Sequence, residues 1–144
     1  MMTPHSPRQA WRFRATPLAM YAALALLPVA VAAADTSASQ QLARFSAQAG
    51  TPGQIEPGRA FFTSRQGGEW SCASCHGNPP TATGKHAGTG KPIDPMAPPA
   101  NPAAFTSTAK VDKWFRRNCN DVVKRECSAG EKADVLAYLM SLKP

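Results

Sequence analysis

The chain has 144 residues, four of them cysteine, and sets 16 Lys and Arg against 9 Asp and Glu for a formal net charge of +7. That length bounds it to one small domain, and 14 prolines with 10 glycines give much of it to loops. The positive charge invites an anionic partner, but the cations form no stripe interleaved with aromatics, which argues against nucleic acid.

Arg8, Arg12 and Arg14, with no acidic residue among them, precede an apolar run from Leu18 to Val31 and then Ala32-Ala33-Ala34 before Asp35. This is the order of an export signal with its cleavage site. An uncleaved anchor is the alternative, opposed by a run shorter than the roughly 20 residues needed to span a bilayer and by Pro17 and Pro28. Phe13 separates Arg12 from Arg14, so the twin-arginine route is not indicated. Residues 1–34 are therefore expected to be removed after about Ala34, leaving 35–144 as a single periplasmic domain that meets the membrane only during export. Three of the cations leave with the signal, so 13 basic against 9 acidic groups give the mature chain +4.

Along the mature chain, Gln40 to Ala49 reads as a helix stopped by Gly50, and Pro57 to Ser64 as a second with Pro57 near its first turn. Cys72-Ala73-Ser74-Cys75-His76 follows Gly67-Gly68-Glu69-Trp70. Residues 77–108, rich in Pro, Gly and Thr without a sustained period, read as turns and loop. A third helix is expected from about Ala109 to Asn118, with Val111, Trp114 and Phe115 sharing its buried face. The last starts at Ser128, where Ser128 and Glu131 can form a capping box, and buries Val135, Leu136, Leu139 and Leu142.

Two thiols three residues apart with a histidine directly after the second are the pattern for covalent attachment of c-type haem. Cys72 and Cys75 can each add to a vinyl group on one porphyrin edge, which carries the His76 imidazole under the iron. A thioredoxin-like pair is the first alternative, but no βαβ pattern surrounds it. A zinc half-site is the second, but Cys119 and Cys127 lie too far apart to complete a knuckle. A mature chain of about 110 residues with few large apolar side chains needs such a covalent addition to its core. Cys119 and Cys127, the remaining pair, read as a disulfide in an oxidising compartment, and closing that loop would stabilise the fold by about 2.6 kcal/mol. A reversible redox couple beside the haem is the alternative for them.

The ligand opposite His76 separates an electron carrier from a gas-binding haem. Met140 lies off its helix's apolar stripe. Met96, in the stiff Pro95-Met96-Ala97-Pro98 turn, can present a thioether or simply pack on haem. His86 reads as a surface or propionate-bonded histidine before it reads as a ligand. Asn118 falls roughly 20° from Val111 on a helical wheel, a polar amide in the middle of an apolar stripe. Iron would satisfy its oxygen; a helix C-cap is the competing use.

Glu56-Pro57-Gly58-Arg59-Ala60-Phe61-Phe62, Trp70 to His76, Lys113 to Cys119, and Glu126-Cys127 through Glu131 to Leu136 resemble the sphaeroides haem protein (SHP) group of monohaem class I-like cytochromes c. The resemblance covers most of the mature chain. It implies an all-α, cytochrome c-like fold of about four short helices around one covalent haem, joined by long Pro/Gly-rich loops. It also implies an asparagine that binds ferric iron, leaves on reduction and opens a site for oxygen or nitric oxide, with a disulfide next to it. Carried onto this chain, these are Asn118, with Asn120 as the alternative amide, and Cys119–Cys127. The expected protein is monomeric, takes electrons from a partner cytochrome with an acidic face, and is a ligand-binding carrier rather than a dedicated enzyme. The basic cluster Lys110, Lys113, Arg116, Arg117, Lys124 and Arg125 could contact haem propionates or steer docking onto that acidic face, and reads equally as a solvated helix face. The second class left open is a plain electron shuttle ligated by His76 and Met96.

Overall fold

The computed structural model describes residues 34–144, so the expected export signal lies outside the described residues. Helix α1, Ala38–Ala49, starts where the Ser37 hydroxyl accepts the Gln40 amide at 3.2 Å and ends at Gly50, whose φ of 71° is the left-handed cap that glycine adopts freely. Helix α2, Ile55–Thr63, has Pro57 in its first turn, where a missing N–H costs nothing. The short α3, Cys72–His76, is followed by strands β1, Gly84–Lys85, and β2, Pro92–Ile93, then α4, Thr108–Val123, and α5, Ala129–Ser141. The architecture is mainly helical, as expected. The helix beyond the expected four is the cysteine motif itself, and the loop at 77–108 contains a small hairpin, with Gly84 opposite Ile93 and Lys85 opposite Pro92.

Helix α5 opens with the capping box read from sequence: Ser128 Oγ accepts the Glu131 amide at 3.2 Å, and Glu131 Oε2 accepts the Ser128 amide at 2.8 Å. Arg125 donates to the same carboxylate at 2.6 and 2.8 Å and holds it below the usual carboxylate range. That contribution is present above the ordinary carboxylate pKa and fades as pH falls through the depressed value. The single stripe expected for α5 is too narrow: Val135, Leu136, Ala137, Tyr138 and Leu139 are all buried, and Leu142 is half-buried just past the helix. The reason is that α5 is the central rod. Phe45 of α1 and Val111 of α4 meet Ala133 and Leu136, while Phe62 of α2 meets Val135, Tyr138 and Leu139.

Helices α2 and α5 approach backbone to backbone because residue 58 has no side chain. A methyl group there would overlap the Asp134 carbonyl, which belongs to the opposite helix and has nowhere to go. Gly58→Ala is therefore expected to force the helices apart and destabilise the protein by about 1–3 kcal/mol, the range for overpacking. Thermal unfolding of the holoprotein checks it, and an unchanged melting temperature would show that the crossing yields freely.

Helix α4 runs five residues beyond the expected Asn118 and ends at Lys124, with φ of 59°. Asn118 is thus inside the helix and is not its C-cap. Trp114 is also corrected: it is 47% exposed, not part of the buried face. That face is set by Val111, Phe115 and Cys119, at i, i+4 and i+8, and Trp114 lies roughly 100° around the helix from Phe115. Among the described residues, no helix is long and apolar enough to cross a membrane.

Candidate haem-binding site

Five residues are too few for a helix to persist alone, and α3 is held by its own cap. Ser71 Oγ accepts the Ser74 amide at 3.2 Å while Ser74 Oγ accepts the Ser71 amide at 3.0 Å, and Gly77 closes the other end. One turn of helix puts Cys72 and Cys75, at i and i+3, on one side, with His76 following. Both thiols are free. Cys72 packs on the wall formed by Phe62, Val135, Tyr138 and Leu139, and this burial pushes its thiol up to about 11. Burial likewise lowers the His76 imidazole below its ordinary value and favours its neutral form.

The His76 ring lies 6.3 Å from that of Phe62, and its buried Nδ1 has no hydrogen-bond partner. An orphaned buried imidazole nitrogen beside two unpaired thiols and an apolar wall fits a covalent haem. Among the described residues no three His, Cys, Asp or Glu side chains converge, so the zinc reading finds no ligand set there.

The hairpin braces this helix. A methyl group at Gly84 would overlap the Cys75 carbonyl, so β1 lies directly on α3, and the Ala87 amide lies 3.3 Å from Cys75 Sγ. His86 sits exposed at the hairpin turn, with its Nδ1 accepting the Gly88 and Thr89 amides, both at 3.2 Å. The Pro80 carbonyl accepts the Met96 and Ala97 amides, both at 3.1 Å, which brings half-buried Met96 onto the same wall as Cys72. Met140 is half-buried beyond Leu139.

On α4, Asn118 is half-buried and its side chain makes no hydrogen bond to any described residue, whereas Asn120 is exposed. Next to it, Cys119 is joined to Cys127 in a buried disulfide with Cα atoms 5.7 Å apart. The bridge ties the end of α4 to the start of α5 across the Lys124 turn. The Cys119→Ser, Cys127→Ser double variant is expected to melt lower by the equivalent of about 2–3 kcal/mol. A thiol titration of the unaltered holoprotein should count none; two reactive thiols would mean an open dithiol.

Sequence reasoning missed that the motif is itself a helix. The signal was there in Ser71 and Ser74, spaced three apart across its first turn. It also missed Phe61, Phe105 and Phe115 as neighbours of the Cys72 wall, because they come from three separate segments.

A small helical fold built around an attachment helix of this kind is that of a c-type cytochrome, a class whose haem is covalently bound. The chain belongs to the SHP group of these proteins and to the family described as a domain of unknown function, DUF1924, whose pattern spans residues 48–139. It is 50% identical over 111 residues to the cytochrome c-type protein SHP of Cereibacter sphaeroides, covering 74% of this chain and 85% of that one. Cytochrome c'' of Methylophilus methylotrophus is 43% identical over 91 residues, covering 60% of this chain and 63% of that protein. In three dimensions the chain is similar to oxidised SHP, described as an oxygen-binding cytochrome c, with a TM-score of 0.70 at 48% identity over 75% of this chain and 99% of that one. Oxidised cytochrome c'' follows with a TM-score of 0.63 at 36% identity, over 74% of this chain and 95% of that one.

Proposed function

We propose that this chain is a periplasmic monohaem cytochrome that accepts electrons from a partner cytochrome with an acidic docking face and binds oxygen or nitric oxide at an iron to which Asn118 would be a weak sixth ligand. The observation that carries the reading is the Asn118 amide, half-buried within α4 and without a hydrogen-bond partner among the described residues. The oxygen-binding description of the related SHP structure supports it, as does the haem-ligand detachment described for cytochrome c''. When bound, the haem supplies a one-electron iron couple and a position for a diatomic ligand.

Cys72 and Cys75 would hold the porphyrin edge, and His76, whose neutral form burial favours, would donate to the iron. As a ligand the Asn118 oxygen would be a hard, weak-field donor, better suited to ferric than to ferrous iron, so its bond is the one that reduction would weaken. The expected docking cations divide in two. Arg117 pairs with Asp121 at 3.7 Å and Arg125 with Glu131 at 2.6 Å, while Lys110, Lys113, Arg116 and Lys124 carry no ion pair among the described residues. Those four are the groups available to steer an acidic partner, and they act on the association rate more than on affinity. The protein works as a monomeric carrier rather than a dedicated enzyme.

Carbon monoxide added to the reduced protein is the test. A prompt change in the absorption spectrum is expected. An unchanged spectrum would mean that Met96 closes the position and that the protein is a simple electron shuttle.

A further inference from the structure

The helix that carries Asn118 has an unusual start. Its N-cap residue, Ser107, makes no side-chain cap bond. The cap comes instead from far away in sequence: Asp35 Oδ1 accepts from the Thr108 amide at 2.8 Å and from the Thr108 hydroxyl at 3.2 Å, and the Asp35 backbone nitrogen, which cleavage after Ala34 would make the amino terminus, donates to the Thr106 carbonyl at 3.1 Å. The same Thr108 hydroxyl accepts from Gln41 Nε2 at 3.1 Å, whose second hydrogen goes to Thr36 Oγ1 at 2.9 Å. Gln41 Oε1 accepts from Arg44 Nε at 2.9 Å, and Arg44 pairs with Asp112 at 2.6 Å, one turn further along α4. Gln41 is 2% exposed, so the middle of this polar chain is buried while its ends, Asp35 and Asp112, are exposed, and the Thr108 hydroxyl both donates and accepts.

Beyond this clasp, α4 touches α1 again where Phe115 meets Phe45 edge-on at 5.5 Å, and it is tied to the start of α5 by Cys119. Asn118 stands ten residues after Thr108, roughly 15 Å along the rod. Without those hydrogen bonds the first turn of α4 keeps only the apolar packing of Val111 and Phe115, which is less directional, so a small tilt becomes easier. A weak donor such as an amide oxygen is sensitive to a small tilt.

We propose that Asp35, Gln41, Arg44, Thr108 and Asp112 form a positioning clasp that sets how firmly Asn118 occupies the iron. This rests on Asn118 as the sixth ligand. Thr108→Val removes the shared hydroxyl at nearly constant volume, and Thr108→Ser restores it. Azide affinity of the ferric holoprotein is the probe, since azide competes with Asn118. Thr108→Val should bind azide about fivefold more tightly, the equivalent of one net hydrogen bond, and raise hydrogen exchange in α4. Thr108→Ser should stay within about twofold of the unaltered protein, and Asp112→Asn, at the exposed end, should move in the direction of Thr108→Val. If Thr108→Val does not fold, Asp112→Asn decides alone. Lower melting temperatures with unchanged azide affinity would reduce the clasp to a structural element. Asn118→Ala, measured alongside, separates the two ideas. No rise in azide affinity there defeats the sixth-ligand reading, whereas a rise there with none in the clasp variants defeats only the clasp.

Discussion

Replacing Cys72 and Cys75 together by alanine will leave a polypeptide from which denaturing acid extracts all the haem, while the unaltered chain keeps its haem through the same treatment. The chain has four cysteines, and two of them, Cys119 and Cys127, are consumed in a buried disulfide. No other thiol can substitute. Each single variant should retain haem through one remaining bond and lose part of it. The apolar wall of Phe62, Val135, Tyr138 and Leu139 receives Cys72 and pushes its thiol up to about 11. The double variant should also fold poorly, since a domain of this size depends on added apolar mass to complete its core. Complete extraction of haem from the unaltered protein would end the attachment reading.

Local chemistry was legible in the sequence wherever a few adjacent residues decide it. Gly50 stops α1, and Ser128 with Glu131 starts α5, because a cap needs only its own turn. The end of α4 was misjudged for the converse reason. Cys119-Asn120-Asp121 are weak helix formers, and what carries the helix through them is the tie from Cys119 to Cys127, which is tertiary. Trp114 was misplaced because three apolar residues cannot fix the direction of a helix face. Counting Cys119 as the fourth turns the buried side toward Phe115 and puts Asn118 at its edge, roughly 60° away. Of the candidate site, the pentapeptide was readable as a pattern, since covalent attachment would require both its residue types and its spacing. The polar chain from Asp35 through Gln41 to Thr108 was not. It joins segments 73 residues apart, and nothing in either segment announces the other.

Asn118→Ala will change the ferric protein more than any other substitution on α4. Without the amide oxygen the iron should become five-coordinate or water-bound, with faster and tighter binding of azide and nitric oxide. The shift should appear directly in the ferric absorption spectrum. The midpoint potential should rise, because the lost donor favours ferric iron over ferrous. Met96→Ala should leave the ferric spectrum almost unchanged and cost stability instead. Its side chain packs on the wall shared by Phe62 and Tyr138, and removing a half-buried methionine leaves a gap worth about 1–3 kcal/mol. The two variants thus divide between spectrum and melting temperature. The reverse pattern, in which Met96→Ala converts a low-spin spectrum to high spin and Asn118→Ala does nothing, would make the thioether the ligand and the protein a plain electron carrier.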